Sequence, residues 1–244
     1  MRFDVMTLFP DMMQTVLSES ILGRAQKNGY ITVGIHNIRD FAVNDYGRVD
    51  DTPYGGGRGM VMMAPPIFDC YQNILQQTMD ITGTRRVIYL SPKGTTLTQA
   101  HVKRLSEYSQ LILLCGHYEG VDQRVLDEIV DEEISVGDYV QTGGELPACV
   151  LIDAVSRLCE GVLPDKICYE EESFSDGLLE YPQYTRPCSF HGQEVPPVLI
   201  SGNHQNIAAW RRQQAILLTK TRRPDLLASQ KADTIHDKQE EENE

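Results

Sequence analysis

The sequence lacks any long run of apolar residues. A membrane-spanning helix needs about 18 or more consecutive apolar residues, and none of the 244 residues belongs to such a run. The amino terminus carries Asp4 and Pro10, which leaves no room for the apolar stretch of a signal peptide. We therefore expect a cytoplasmic protein with no membrane partner.

The six cysteines also lack the spacing of a metal site, because they form no C-x-x-C pair and no histidine spacing completes a zinc site. We predict reduced, mostly buried cysteines and no metal ligands.

Phosphate-binding motifs are missing too. The run from Gly55 to Gly59 follows Pro53 and Tyr54, without the strand and helix of a dinucleotide fingerprint, and no Walker lysine pattern occurs. A Rossmann or P-loop enzyme is therefore not expected.

Positive charge is scarce as well. Lys and Arg number 22 against 35 Asp and Glu, and the net charge of −13 disfavours a nucleic-acid partner. The charges are distributed unevenly, however. Residues 229–244 are acidic, polar and free of aromatic side chains, which predicts a disordered tail. By contrast, residues 210–212 and 220–223 form a basic cluster on one helical segment.

Apolar periodicity predicts strands that alternate with helices. This order is typical of an α/β fold with a mostly parallel sheet. The predicted strands cover residues 2–9, 30–36, 86–90, 110–115 and 132–136. The predicted helices cover residues 11–28 with a break near 18–20, then 65–79, 98–108, 122–130, 145–159 and 207–227. We predict a first domain over 1–161, a linker over 162–174 and a small helical domain over 175–228.

Three polar loops follow apolar strands, at residues 89–94, 115–122 and 134–147. Because loops at the carboxyl ends of neighbouring parallel strands form the ligand crevice of an open α/β sheet, we expect one shared pocket for a small polar ligand. Glu119 lies between glycines and either points into this pocket or caps the helix that begins near Asp122. The run from Gly55 to Gly59 is either an ordinary turn or a backbone surface that a flat ligand can approach.

For three further side chains, the sequence favours a structural role over ligand binding or catalysis. His117 and His191 have no partner at the spacing of a metal site or a catalytic base, which favours structural roles for both. Arg157 ends a predicted helix, where an arginine usually faces water or complements the helix dipole.

Nine short motifs occur together in a fixed order over residues 1–227, at 54–60, 89–92, 116–120, 135–139, 143–147, 151–155, 172–174, 184–187 and 196–199. In these motifs the chain resembles the bacterial tRNA (guanine-N1)-methyltransferases. The resemblance implies a SPOUT-type α/β fold with a deep trefoil knot over about 86–147, and a homodimer with its active site at the subunit interface. It also implies S-adenosylmethionine as methyl donor, magnesium as a requirement, and methylation of N1 of the guanosine immediately 3′ of the anticodon in tRNA.

The resemblance also assigns roles to single residues. The catalytic assignments are Glu172 as general base, Arg157 near the target base, and Glu119 in the pocket. The tRNA-binding assignments are Gly57, Gly59, Met60, Arg211 and Arg222. The cofactor-binding assignments are Tyr89, Leu90, Ser91, Pro92, Gly116, Tyr118, Glu119, Ser135, Val136, Gly137, Tyr139, Gln141, Gly143, Gly144 and Pro147.

Two positions depart from the family pattern. The family base is an aspartate directly before Ser-Phe, whereas this chain has Glu172 there, whose extra methylene moves the carboxylate by about 1.5 Å. Asp176, four residues on, is an alternative base. His117 stands where the family usually has an arginine. Two other hypotheses stay open: a knotted methyltransferase acting on a different RNA, for example on a ribose, and an RNA-binding protein without catalytic activity.

Overall fold

A five-stranded sheet organises the first part of the chain. The structure, a computed structural model, describes residues 1–43, 46–165 and 167–228, and the chain divides between residues 165 and 166 into two units. In chain order the first unit contains β1 (Arg2–Thr7), α1 (Pro10–Leu17), α2 (Ser20–Lys27), β2 (Thr32–Asn37), β3 (Asp50–Asp51), β4 (Val61–Met62), α3 (Ala64–Gln77), β5 (Arg85–Thr96), α4 (Gln99–Leu105), β6 (Gln110–Cys115), α5 (Gln123–Ile129), β7 (Glu132–Ser135) and α6 (Glu145–Ser156).

The sheet has the strand order β2-β1-β6-β5-β7, and every neighbouring pair is parallel. The predicted α/β class with a parallel sheet is confirmed. The last three strands in this order are those that the three polar loops follow. Their carboxyl ends therefore lie next to one another at one edge of the sheet.

Helices cover both faces of the sheet, which explains why its central strands are apolar throughout. Along β6, Leu111, Leu113 and Cys115 face a core shared with α1, α2, α4 and α6. Ile112 and Leu114 face a second core shared with α3 and α5. All six residues of β6 are buried, and its predicted bounds are confirmed.

Strand β5 continues past its predicted end at residue 90. It bends at Leu90 and pairs with β7 again through Thr95 and Thr96. Pro92 and Gly94 lie in this second arm, and neither residue type favours a strand. The apolar pattern therefore ended before the strand did. The predicted helix break near residues 18–20 is confirmed, since α1 ends at Leu17 and α2 begins at Ser20.

The polar stretch that the sequence left unassigned contains a short hairpin. Strands β3 and β4 pair antiparallel through Asp50 with Met62 and Asp51 with Val61. The glycine run from Gly55 to Gly59 therefore lies in the loop of this hairpin. Strands of two residues show no periodicity, so the sequence pattern could not reveal them.

The second unit contains α7 (Ile167–Glu170), β8 (Ser189–Phe190), β9 (Gln193–Glu194), a 3-10 helix (Pro197–Ile200) and α8 (His204–Arg222). Helix α8 begins where the Asn203 side chain accepts a hydrogen bond from the Asn206 amide at 3.1 Å. The predicted disordered tail, residues 229–244, lies outside the described residues. Among the helices that the structure describes, none is long and apolar enough to cross a membrane.

Candidate ligand site at the carboxyl ends of the central strands

The three predicted loops meet around one cavity of about 300 Å³. All of the predicted cofactor residues except Gly137 line it. From β5 come Tyr89, Leu90, Ser91 and Pro92, from the loop after β6 come Gly116, Tyr118 and Glu119, and from β7 to α6 come Ser135, Val136, Tyr139, Gln141, Gly143, Gly144 and Pro147. Gly116, Gly143 and Gly144 have no side chain, so at these positions the backbone itself forms the cavity wall.

Backbone hydrogen bonds hold the three loops together. The Leu97 amide donates to the Ser135 carbonyl at 2.8 Å, and the Gly144 amide donates to the Gly116 carbonyl at 2.9 Å. Gly144 lies so close to β6 that a Cβ atom there would be 2.7 Å from the Cys115 Cα. A larger residue at this position would push the last loop away from the sheet and deform the cavity.

Gly137 shapes the cavity without lining it. The Ser135 Oγ donates to the Gly137 carbonyl at 2.9 Å and accepts from the Gly137 amide at 3.2 Å. The Tyr139 amide also donates to the Gly137 carbonyl, at 2.9 Å. This tight turn carries Tyr139 to the cavity wall.

Glu119 links the cavity to the glycine-rich hairpin loop. Its amide donates to the Met60 carbonyl at 3.0 Å, and a Cβ atom on Gly59 would lie 2.4 Å from its Oε1. Two of the predicted tRNA-binding residues, Gly59 and Met60, therefore adjoin the cavity, while Gly57 lies exposed within the hairpin loop. The alternative that Glu119 caps α5 is wrong, because the cap is the Asp122 side chain, which accepts from the Arg124 amide at 3.0 Å.

His117 lines the same cavity, a position that its sequence spacing did not indicate. Its ring centroid lies 4.9 Å from that of Phe9 and 4.8 Å from that of Tyr118. Its Nδ1 is buried and has no hydrogen-bond partner among the described residues. A buried polar atom without a partner is costly unless a ligand or water satisfies it, so this nitrogen is a candidate hydrogen-bonding group for a ligand. His191 lies outside the cavity, exposed beside Phe190 in the β8–β9 turn.

The residues predicted from the sequence do not include eight others that line the cavity, namely Val61, Lys93, Gly120, Val121, Leu126, Ile134, Val140 and Thr142. Most of them lie within the three loops that the sequence singled out, so the loops themselves were the available signal. Val61 belongs to β4, and no pattern in the sequence connects it to the cavity.

Charge at the cavity is sparse. Glu119 is the one carboxylate and Lys93 the one ammonium among the described lining residues. Burial, followed by the nearby Glu133 charge, raises the pKa of Tyr89 to about 12, so its hydroxyl stays protonated as a hydrogen-bond donor. Burial also raises the pKa of the Cys115 thiol behind the cavity well above its usual value. This cysteine is therefore not a nucleophile at neutral pH.

The other predicted catalytic residues are not among the residues that line this cavity. Arg157 is the carboxyl-terminal cap of α6 and does not line the cavity. Glu172 belongs to the second unit, where it lines another cavity of about 570 Å³ together with Asp176. In the same unit, Arg211 and Arg222 lie on α8. No group of three or more His, Cys, Asp or Glu side chains that could hold a metal ion occurs in the described parts of the chain.

A cavity at the carboxyl ends of adjacent parallel strands is typical of the α/β proteins that bind a small ligand through their loops. Sequence comparison gives the family. Residues 1–229 match the family described as tRNA (Guanine-1)-methyltransferase TrmD, and the chain belongs to this family. It is therefore an enzyme, and the resemblance seen in its motifs is confirmed.

Curated relatives agree over nearly the whole chain. Three of them are each named tRNA (guanine-N(1)-)-methyltransferase. The protein of Ruminiclostridium cellulolyticum is 55% identical over 226 residues, which cover 93% of this chain and 96% of the relative. That of Alkaliphilus oremlandii is 58% identical over 229 residues, covering 93% and 92%. That of Clostridioides difficile is 54% identical over 226 residues, covering 93% and 97%.

Proposed function

We propose that this chain transfers the methyl group of S-adenosylmethionine to N1 of the guanosine immediately 3′ of the anticodon in tRNA. The observation that carries the proposal is the convergence of three loops on one cavity in a chain that matches the family over residues 1–229. A tRNA substrate also agrees with the cytoplasmic location expected from the sequence.

The cavity suits a flat, positively charged ligand. Leu90, Leu126, Ile134 and Val136 give it apolar walls for an adenine ring. The orphaned Nδ1 of His117 and the backbone groups of the loops offer hydrogen bonds, and Glu119 attracts the ligand's positive charge. When bound, S-adenosylmethionine supplies a methyl group already activated on a sulfonium.

The chain's own residues must then accept the N1 proton of the guanine and stabilise the negative charge that develops on its O6. The Glu172 carboxylate accepts the N1 proton of the guanine as that nitrogen takes the methyl group. The Arg157 guanidinium stabilises the negative charge that builds on O6 of the same base. Together these two groups would supply the acid–base and electrostatic parts of the reaction.

A second copy of the chain would bring these groups to the cavity. Helix α6 has 12 residues, so Arg157 lies about 18 Å from the cavity end of this helix at about 1.5 Å per residue. That is too far for one side chain to span. A homodimer with its active site at the interface, in which Arg157 and Glu172 of one protomer serve the cavity of the other, removes this difficulty.

An apolar surface on α1 and α6 suits such an interface. Met12 and Val16 on α1, and Leu146 and Val150 on α6, are each between 42% and 51% exposed. The two residues of each pair are four positions apart and so lie on one face of their helix. The two helices pack together, with the Cys149 Sγ 3.7 Å from the Met13 Sδ. Burying this surface between two copies would be favourable.

The finer architecture of the family is also part of the proposal. A trefoil knot over about 86–147 is supported by the second arm of β5, which pairs with β7 again after the bend at Leu90. We assign tRNA binding to the helical domain over 175–228, joined to the first domain (1–161) by a linker over 162–174. The basic residues of α8, including Arg211 and Arg222, support this assignment.

The first test is methyl transfer from labelled S-adenosylmethionine to two tRNA transcripts, one with guanosine and one with adenosine 3′ of the anticodon. Label in the first transcript alone is expected, and EDTA should suppress it if magnesium is required. Label in neither transcript, from folded protein that still binds the cofactor, would favour the catalytically silent RNA-binding protein. Label at another nucleotide or on a ribose would favour the other RNA methyltransferase.

Glu172→Gln tests the general base. We expect it to lower the rate of methyl transfer by at least about a hundredfold and to leave the dissociation constant for S-adenosylmethionine unchanged. Glu172→Asp is the matched control, because it keeps the carboxylate and should retain activity. Near wild-type turnover in Glu172→Gln, with loss in an Asp176→Asn variant, would move the role to Asp176.

A further inference from the structure

The second unit contains a cavity that the proposed chemistry does not use. It measures about 650 Å³ and lies between residues 181–188, the 3-10 helix Pro197–Ile200 and α8. Glu172 is not part of it. A volume of this size is within the range of about 300–1,000 Å³ that is typical of small-ligand sites.

The walls of this cavity combine aromatic rings with guanidinium groups. Tyr181, Tyr184, Arg186 and Arg211 all line it. The Arg211 guanidinium carbon lies 4.7 Å from the centre of the Tyr181 ring. The Tyr184 ring is 49% exposed, and its centroid lies 6.2 Å from that of Trp210. Trp210 thus supports a tyrosine whose exposed surface is still available.

Among the described residues, the two guanidinium groups that line the cavity have no carboxylate partner, unlike others in the same unit. Arg212 is paired with Asp176, and Arg223 with Asp225. Neither Arg186 nor Arg211 has a carboxylate within ion-pairing distance in the described parts of the chain. The described lining of this cavity therefore has two positive groups and no carboxylate, although the whole chain carries a net charge of −13 and Arg211 also lines the cavity that contains Glu172.

Flat rings beside unpaired guanidinium groups suit a ligand that has both an aromatic face and a negative charge. Aromatic side chains bind unpaired bases by stacking, and arginine binds phosphate and stacks on planar rings. The apolar side chains of Leu199 and Ile207 complete the wall and would cover the base from water.

We propose that this cavity binds one unpaired nucleotide of the tRNA other than the guanosine that is methylated. The base stacks on Tyr184, and its phosphate lies beside Arg186 and Arg211. The inference rests on the proposed function in one respect, since it takes tRNA as the partner. It adds a second base-binding site, which would fix the position of the RNA while the first unit carries out the methyl transfer.

Steady-state kinetics with the full-length protein and a tRNA transcript test the stacking. Tyr184→Ala should raise the KM for tRNA about tenfold, the effect of one lost base–aromatic stack, and leave kcat within about twofold because the contact is the same in ground and transition states. Tyr184→Phe keeps the ring and should restore the wild-type KM. Phe190→Ala is the control, since Phe190 is also exposed in this unit but does not line the cavity.

Cys188 provides a readout that does not depend on catalysis. It is exposed and lines the cavity, so excess tRNA should slow its alkylation by iodoacetamide in the wild-type protein, measured by mass spectrometry of the peptide. A free nucleoside monophosphate at the same concentration should not slow it, because it lacks the rest of the tRNA contacts. This protection should weaken in Tyr184→Ala at subsaturating tRNA.

The two proposals fail in distinguishable ways. If the wild-type protein methylates tRNA but Tyr184→Ala leaves the KM unchanged, or tRNA leaves Cys188 unprotected, the second base site is wrong and the methyltransferase stands. If Tyr184→Phe raises the KM as much as Tyr184→Ala, stacking is wrong. If the wild-type protein neither binds nor methylates tRNA, both proposals are wrong.

Discussion

Asp4 shows how a single buried charge supports the sheet. Its carboxylate is fully buried in β1 and accepts hydrogen bonds from Arg2 at 2.8 Å and from Gln110 at 2.7 Å, and His36 Nε2 lies 2.8 Å away. Burial alone would raise the pKa of Asp4, but the hydrogen bonds from His36, Arg2 and Gln110 outweigh it and lower the pKa. The ionised carboxylate therefore stabilises the folded state.

Replacing this carboxylate should remove a pH-dependent part of the stability. Because the pKa of Asp4 is lower in the folded protein, its contribution is present above the ordinary value of 3.8 and is lost as the pH falls below it. We expect Asp4→Asn to reduce the free energy of unfolding by about 3 kcal/mol at pH 7, and the difference from wild type to shrink as the pH falls below the ordinary value of 3.8. Urea denaturation at several pH values measures both effects.

Asp225→Asn is the matched control for that experiment. Its carboxylate pairs with Arg223 on the surface, where solvent screens the interaction, so little change in stability is expected. A loss in Asp4→Asn that stays the same at low pH would contradict the assigned role of the Asp4 charge.

His117 allows a second test at the scale of one residue. His117→Phe keeps a ring against Phe9 and Tyr118 and removes the buried nitrogen that has no partner in the described chain. We expect the dissociation constant for S-adenosylmethionine to rise about fivefold, equivalent to about 1 kcal/mol for one hydrogen bond, while the free protein unfolds at the same or a higher temperature. Isothermal calorimetry and thermal denaturation provide the two measurements.

His191→Phe serves as the control for His117, because His191 is exposed and lies outside the cavity. An unchanged dissociation constant in His117→Phe would show that Nδ1 does not contact the ligand. The sequence alone could not indicate that His117 contacts a ligand. The spacing of His117 resembles no ligand or base pattern, and its importance depends on burial and on the approach of Gly143, which pairs with it in an isolated bridge.

At the scale of elements, helix α8 shows how one hydroxyl attaches a loop segment to a helix. The Thr219 Oγ1 accepts from the Leu179 amide at 2.8 Å and donates to the Ala215 carbonyl at 2.7 Å. Thr219 is fully buried. Without the hydroxyl, the Leu179 amide would lose its partner, which is costly in the interior of a protein.

Thr219→Val removes this hydroxyl at nearly constant volume. We expect the free energy of unfolding of the cooperative unit that contains α8 to fall by about 1 kcal/mol, the contribution of one partly buried hydrogen bond. Thr219→Ser retains the hydroxyl and should lose less. Hydrogen exchange at the Leu179 amide reports the contact directly, and equal protection in Thr219→Val and wild type would show that the bond contributes little.

The elements also show where sequence reasoning succeeds and where it stops. Strand β6 was predicted with its observed bounds because five of its six residues, those after Gln110, form a continuous apolar run. The second arm of β5 was missed because Pro92 and Gly94 interrupt the pattern. The strand order, which places the three loops at one cavity, depends on pairings between distant segments and has no local signal.

At the scale of the whole molecule, the proposed homodimer makes a prediction about two inactive variants. Glu172→Gln removes the base, and Glu119→Lys places a cation beside a positively charged cofactor. Both residues lie on partly or fully exposed segments, so the variants should fold. Each variant alone should be inactive, because Glu172→Gln lacks the base and Glu119→Lys does not bind the cofactor.

Mixing the two variants distinguishes an active site shared by two protomers from one contained in a single chain. If Glu172 of one protomer serves the cavity of its partner, a heterodimer contains one intact site, and a 1:1 mixture after subunit exchange should recover about one quarter of wild-type activity. If each chain supplies its own base, no combination restores a complete site and the mixture stays inactive.

Val150→Lys should prevent the recovery, because it places a charge on the apolar α1–α6 surface that we assign to the interface, and sedimentation should then show monomers. Recovery that persists in a monomeric Val150→Lys background would contradict the assigned interface.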